Sequence, residues 1–325
     1  MYADRRSAMG LESFLGNEVL KQRLTAAIEK DELAHSYLIS GPAGSGKHTL
    51  VKLLAAAMEC TGQGKPCLRC PQCRKVMEDI HPDLITVDDD EHKTIPVSLV
   101  RSTCSDLYIR PNEGRKKIYI FPRAQDLNDQ GQNALLKCIE EPPAYGVFIL
   151  VAERADELLL TIRSRCTHLQ TTPLSDEVML PALQKRFPEA AEKNLQKAVR
   201  RSGGYLGQAC ELLQEGTELL PQTQTFIDAY CRRNKGDLLR LLAPMEEFKR
   251  DRLLKVLEQW QEVLTSALIC CRGVRPMYEE AEQIAGARAA GDIMQAINGI
   301  RESIELLEAN VGTGHVCGAL LILLQ

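Results

Sequence analysis

The sequence predicts an α/β domain built on a parallel sheet, followed by helical segments. Three observations predict it. Short apolar runs of strand length alternate with longer runs of helix length over the first ~170 residues. One strand, "HSYLIS", runs straight into the glycine-rich "GPAGSGK" and then into the helical "TLVKLLAAAMEC". Beyond "THLQTTPLSDE" the strand signal disappears and apolar positions recur at helical spacing.

The elements follow in order. Leu11, Leu15, Leu20 and Leu24 lead into the amphipathic "LTAAIEK". Residues 35–40 form the first strand, and a helix starts at Thr49. After a cysteine-rich segment, "HPDLITV" (81–87) reads as a second strand and "IPVSLVRSTCSDLYI" as a helix. "KKIYIF" (116–121) is a third strand, "NDQGQNALLKCIEE" (128–141) a helix and "GVFILVA" (146–152) a fourth strand. Helical spacing turns Leu135 and Leu136 towards the sheet, and "EEPP" stops the helix because proline disfavours helical geometry in the residue before it. Short helical pieces surround "RSGGYLGQA", and long amphipathic stretches such as "DLLRLLAPMEEFKRDRLLKVLEQWQEVLTSALICC" and "DIMQAINGIRESIELLEANVG" fill the rest. The expected partition is 1–173 as the α/β domain, 174–215 as a small helical domain and 216–325 as a helical C-terminal domain.

A chain of 325 residues can bury two or three cores. Its net charge of −4 excludes a strongly basic, whole-surface nucleic-acid binder. No apolar run reaches the ~20 residues of a membrane helix, and "MYADRRSAMGLESF" carries no signal-peptide core. The sequence therefore reads as cytosolic, where twelve cysteines are more than disulfides account for.

Four of those cysteines are clustered. Cys60, Cys67, Cys70 and Cys73 have the spacing C-x6-C-x2-C-x2-C, with turn formers between them. Four thiolates in so short a span can close a tetrahedral site around Zn²⁺, and with no open position that zinc is structural. An iron–sulfur cluster or simply reduced thiols are the alternatives. The remaining eight cysteines are scattered and read as packing residues. Lys65, Arg69, Arg74 and Lys75 beside the cluster form either a solvated basic face or a phosphate contact.

In "GPAGSGKHTL", Gly41, Gly44, Gly46 and Lys47 supply a phosphate-cradling loop. The residue after the lysine should carry a hydroxyl for Mg²⁺; it is His48, with Thr49 one step late. A hydrolytic site also needs carboxylates after an apolar strand. "KKIYIF" is followed instead by Pro122, Arg123, Ala124 and Gln125, so that a positive charge would stand beside the metal position, and Asp126 lies too far along. Two losses fall on one task, metal-assisted hydrolysis. The loop can still cradle an anion through its backbone N–H groups, or it is only a strand-to-helix turn; ATP binding by this chain is doubtful.

Several stretches together resemble one family. "NALLKCIEEPP" (133–143), "LLLTIRSRC" (158–166), "AHSYLISGPAGSGK", "HPD", the cysteines behind the phosphate loop and "LLEAN" in the helical C-terminal third resemble the bacterial clamp-loader branch of the AAA+ ATPases. The resemblance spans most of the chain and is strongest over ~11–170. Motor subunits of that family keep both nucleotide motifs, whereas its delta-prime branch has them degraded, and this sequence is similar to the latter. Where the motors carry a polar sensor after the fourth strand, this chain has Ala152 and Glu153; where they carry a second sensor arginine, it has Gly207. Ser164-Arg165-Cys166 is retained. The resemblance implies that Arg165 reaches the γ-phosphate of ATP held by a neighbouring subunit. A guanidinium so placed neutralises charge on the transferring phosphoryl oxygens. It also implies a heteropentamer with motor and clamp-opening subunits within the DNA polymerase III holoenzyme, the C-terminal helices as collar, and primer–template DNA met through the assembly, with no membrane partner.

Other features carry less. Glu140 and Glu141 end a helix near no evident substrate and suit packing or interface roles. "RPNEGRKK" (110–117) is either a solvated turn or a phosphate contact, and His81 and His168 lack partners in sequence for metal binding. Two rival functions remain: an active AAA+ ATPase in which Thr49 takes over the metal contact, and a zinc-dependent nucleic-acid-binding protein.

Overall fold

The computed structural model describes residues 10–89 and 94–324; residues 1–9, read above as lacking a leader, lie outside the described residues. The first helix, α1 (Glu18–Glu29), precedes β1 (Ser36–Ser40), whose five residues are all buried. The glycine loop then opens α2 (Lys47–Glu59). The cysteine segment contains a short helix that the sequence reading did not find, α3 (Pro71–Met77). Its start is explained locally: Pro71 takes the first helical position, and the Cys70 sulfur caps it by accepting the Cys73 N–H.

The second strand, β2 (Leu84–Thr86), is shorter than the expected 81–87, because His81–Asp83 turn away to bond within the neighbouring loops. Next come α4 (Val97–Asp106), β3 (Lys117–Phe121), α5 (Asp129–Glu140) and β4 (Gly146–Ala152), close to their expected bounds. Asn128 caps α5 by accepting the Gly131 N–H at 2.9 Å. A single turn, α6 (Leu160–Arg163), leads to a fifth strand the sequence did not show, β5 (Thr167–Gln170). Only Leu169 of β5 is buried, so an edge strand with one inward residue offered no apolar run.

The strands form one parallel sheet in the order β2-β3-β4-β1-β5. Successive side chains point to opposite faces. Tyr37, Ile39, Val147, Ile149 and Val151 join α1 and α2 on one side. Leu38, Phe148, Leu150, Tyr119 and Phe121 join Leu135, Ile139 and Ile162 on the other. Leu135 is fully buried there and Leu136 partly, as their spacing predicts.

The helices beyond the sheet are α7 (Asp176–Arg186), α8 (Glu192–Arg201), α9 (Leu206–Glu215), α10 (Pro221–Cys231), α11 (Lys235–Leu242), α12 (Arg250–Cys270), α13 (Ala281–Ala287), α14 (Ala290–Glu308) and α15 (Thr313–Leu323). The stretch read as one helical region around 237–271 is broken into α11 and α12 by a 3-10 turn at Ala243–Glu247. Pro244 there has no N–H to continue the ladder. The chain separates into two compact units. One comprises the residues up to Arg186 with Gly204–Cys210; the other comprises Phe187–Gly203 with the residues from Glu211 onward. The second unit packs around fully buried Trp260, whose ring stacks on Phe226 at 4.2 Å. Among the described residues no helix is long and apolar enough to cross a membrane. A parallel α/β sheet with a helical C-terminal region is the architecture that the AAA+ resemblance implies.

Candidate functional site

The phosphate loop folds in on itself. Lys47 is only 8% exposed, and its ammonium donates to the carbonyls of Gly41 and of Pro42, the latter at 2.8 Å. Burial lowers its pKa, partly opposed by the negative charge of Glu153. Thr171 on the strand side donates to Ser45 Oγ at 2.9 Å, beneath Gly41. Gly46 has φ +87° at the helix start, a conformation that favours glycine. The side chains of His48 and Thr49 both point to solvent. Partial shielding, then the charges of Lys47 and Lys52, hold the His48 imidazole below its ordinary range.

Backbone from α9 closes the loop from above. The Gly207 N–H donates to the Gly44 carbonyl at 2.8 Å. A Cβ at Gly207 would lie 2.5 Å from Gly44 Cα, and a Cβ at Gly44, where φ is +70°, would lie 2.4 Å from the Gln208 nitrogen. Only two glycines permit this approach. Gly207 is thus more than a missing sensor arginine: its lack of a side chain lets the start of α9 rest on the loop.

The position after β3 holds an ion-pair network in place of metal-binding carboxylates. Arg123 reaches Asp88 at 2.6 Å and Asp126 at 3.2 Å, and donates to the Asp89 carbonyl at 3.0 Å. Its charge is therefore compensated within the fold, and Asp126 is engaged by Arg123. After β4, Ala152 is buried and Glu153 exposed. A carboxylate there places negative charge within electrostatic reach of the loop lysine.

Cys60, Cys67, Cys70 and Cys73 converge, with their four sulfurs all within 4.8 Å of one another. Backbone N–H groups of Cys67, Cys70 and Cys73 donate to the sulfurs of Cys60, Cys67 and Cys70 at 3.3–3.4 Å, a pattern that orients and stabilises thiolates. A Cβ at Gly62 would come 2.8 Å from Cys67 Sγ, so the glycine makes room for the sulfur. Four soft donors at that spacing form a cluster that could hold a metal ion. His81 is not among them: it is buried in a separate turn, where its Nδ1 accepts the Asp83 N–H at 3.2 Å.

Arg165 follows α6, whose Ile162 is fully buried and anchors the turn. The Arg165 side chain is 40% exposed. Its Nε pairs with Glu140 Oε1 at 2.5 Å, and its Nη1 donates to the Thr161 carbonyl at 3.0 Å. Neighbouring Cys166 is packing: burial pushes its thiol up to about 12. Beneath, buried Gln132 donates to the Leu127 carbonyl and accepts the Leu159 N–H at 2.8 Å, tying α5 to the chain that leads into α6.

Sequence reasoning missed the pairing of Glu140 with Arg165 and the bracing by Gln132, since residues so far apart in the chain carry no local signal. It also left "RPNEGRKK" open. That turn is tethered through its backbone: Asp83 accepts N–H groups of Asn112, Glu113 and Gly114, and Glu59 those of Arg115 and Lys116. Lys117 is buried against Asp106, and Lys75 pairs with Glu113. Burial pushes the Glu59 carboxyl up, against its two N–H donors.

With this geometry in place, comparison with known proteins is informative. The family described as "DNA polymerase III, delta subunit" matches residues 16–175. A DNA polymerase III subunit delta' of Bacillus subtilis is 34% identical over 154 residues, covering 47% of this chain and 46% of its own. That of Pseudomonas aeruginosa is 33% identical over 175 residues and 53% of each chain. Over residues 16–175, just under half of the chain, the similarity is to the delta-prime-like clamp-loader family of DNA polymerase III. A gamma subunit of Buchnera aphidicola (from Schizaphis graminum) is 24% identical over 269 residues, spanning 78% of this chain and 74% of its own. The matched region spans about half the length of the delta' relatives, and in this chain it contains the phosphate loop, the cysteine cluster and Arg165.

Proposed function

We propose that this chain is a clamp-loader subunit that hydrolyses no ATP itself and donates Arg165 to ATP held by an adjacent motor subunit, during placement of the sliding clamp on primed DNA. The observation that carries the reading is the contrast within one domain. Lys47 is bonded to its own loop under the Gly44–Gly207 backbone contact, while Arg165 stands exposed beyond α6. Residues 174–215 would serve as a lid held without nucleotide, and 216–325 as the collar of a heteropentamer within the holoenzyme.

Cys60, Cys67, Cys70 and Cys73 would hold structural Zn²⁺, the metal that four thiolates in tetrahedral array favour. Bound zinc would cross-link the end of α2 to α3 and supply no Lewis-acid chemistry, since the site leaves no position for substrate. Metal content measured on the purified chain, with Cys73→Ser as control, tests this; one zinc per chain lost in the variant is the expected result.

The deciding experiment uses the reconstituted complex. Arg165→Ala is expected to lower primed-DNA-stimulated ATP hydrolysis by about 10³-fold or more at unchanged assembly. An unchanged rate would overturn the reading. A motor role for this chain is the second reading, favoured by the longer match to a gamma subunit and by the exposed Thr49 hydroxyl. Magnesium-dependent hydrolysis by the isolated chain, abolished by Lys47→Ala, would establish it instead.

A further inference from the structure

Resting on the proposed role of Arg165, we propose that Glu140 is its positioning residue: the last residue of α5 sets the direction in which the guanidinium is presented to a neighbour's nucleoside triphosphate. A trans-acting arginine must satisfy two requirements. It has to remain solvent-accessible until the neighbour arrives, yet it cannot sweep freely through its rotamers, because ordering a long side chain at the moment of reaction costs free energy. Preorganised charge is what stabilises a transition state.

The surroundings of Arg165 meet both requirements. Two of its nitrogens are engaged by its own domain: Nε by Glu140 at 2.5 Å, and Nη1 by the Thr161 carbonyl at 3.0 Å and Ser164 Oγ at 3.4 Å. Nη2 makes no hydrogen bond among the described residues, so one nitrogen and the outer edge remain for an anion. The two anchors come from different elements. Thr161 lies in α6, which Ile162 pins to the core, and Glu140 closes α5, which Leu135 and Ile139 pin to the same core. Gln132 braces α5 against the approach to α6 through Leu159, fixing the separation of the two anchors.

Glu140 is placed to do this and little else. Its side chain is 42% exposed, so it is not filling the core. An exposed pair of this kind contributes little to stability. Its value lies in direction. The "EEPP" sequence keeps the carboxylate at the helix end, because Pro142 and Pro143 prevent α5 from continuing. Glu141, the second carboxylate of the pair, makes no ion pair with Arg165 among the described residues and serves as an internal control.

The test is Glu140→Gln in the reconstituted complex, alone and combined with Arg165→Ala, with primed-DNA-stimulated ATP hydrolysis as readout. Glu140→Gln is expected to lower kcat about 3- to 10-fold with the KM for ATP unchanged, because only the transition state uses the guanidinium. Glu141→Gln leaves kcat within about twofold. In the Arg165→Ala background, Glu140→Gln produces no further loss. A full effect of Arg165→Ala with none from Glu140→Gln overturns the positioning role and leaves the trans role of Arg165 standing. An equal loss from Glu140→Gln with and without Arg165 shows that Glu140 acts through assembly or folding, which also overturns it. If Arg165→Ala itself has no effect, the reading on which this rests fails first.

Discussion

Lys47 and Arg165 are the two cations that the sequence motifs single out, and the structure treats them oppositely. Lys47 is 8% exposed, bonded to its own loop and overlain by backbone; the Arg165 side chain is 40% exposed, held at two nitrogens and open at the third. Buried polar groups are kept for the structure they satisfy, and exposed preorganised ones suit a partner. On the proposed reading, one half of a nucleotide site has become a structural joint while the half that serves a neighbour keeps its geometry. It predicts an asymmetry: changes at the loop will alter stability and spare the assembled activity, and changes at Arg165 will do the reverse.

The largest effect that could break the comparison lies at the glycine joint. Gly207→Ala pushes a methyl to within 2.5 Å of Gly44 Cα, where backbone must move. Overpacking of this kind costs about 1–3 kcal/mol. A lowered melting temperature, with faster amide exchange over residues 204–210 and around Gly44, is the expected outcome. Gly216→Ala offers a control, because its Cβ meets nothing within 4 Å, although its φ of +109° makes some strain unavoidable. A chain that tolerates Gly207→Ala without loss would show that the start of α9 does not rest on the loop in solution.

Lys47→Met comes next. In a working motor this change abolishes hydrolysis; here it is expected to leave the assembled rate unchanged and to cost about 1 kcal/mol, as the Gly41 and Pro42 carbonyls lose their donor. Thermal melts with and without magnesium ATP sharpen the point. A ligand that binds only the folded chain raises its stability in proportion to the logarithm of its concentration. No such rise is expected.

These contrasts also show which parts of the molecule the sequence made legible. The strand–loop–helix and the cysteine spacing were readable because their chemistry is local: a turn, a helix start, and four sulfurs within fourteen positions, Cys60 to Cys73. The buried strands β1, β3 and β4 announced themselves as apolar runs. β5 did not, since one buried leucine in four residues leaves no pattern. Asp83 and Glu59, which hold the 112–116 turn, drew no role from the sequence because their donors are backbone N–H groups far along the chain. Arg165 could be singled out by its motif, but the partner that directs it could not, for that pairing exists only once α5 and α6 are packed.

The smallest effect probes the ground between the two regions. His168, on β5, lies within 2.7 Å of the hydroxyl of Ser40, the residue that leads into the phosphate loop. Partial shielding from water, and then the charge of Arg163 in α6, lower its pKa from 6.5. A base whose folded pKa is depressed binds fewer protons folded than unfolded, so its contribution to stability is present above the unfolded value and is lost as pH falls below it. His48 shifts in the same direction at the loop itself. The melting temperature should therefore fall between pH about 7.5 and about 5.5, and His168→Gln, which can still bond Ser40, should flatten part of that slope. If His48→Gln flattens it instead and His168→Gln does not, the acid sensitivity belongs to the loop alone. β5, at the edge of the sheet beside β1, then contributes nothing to it.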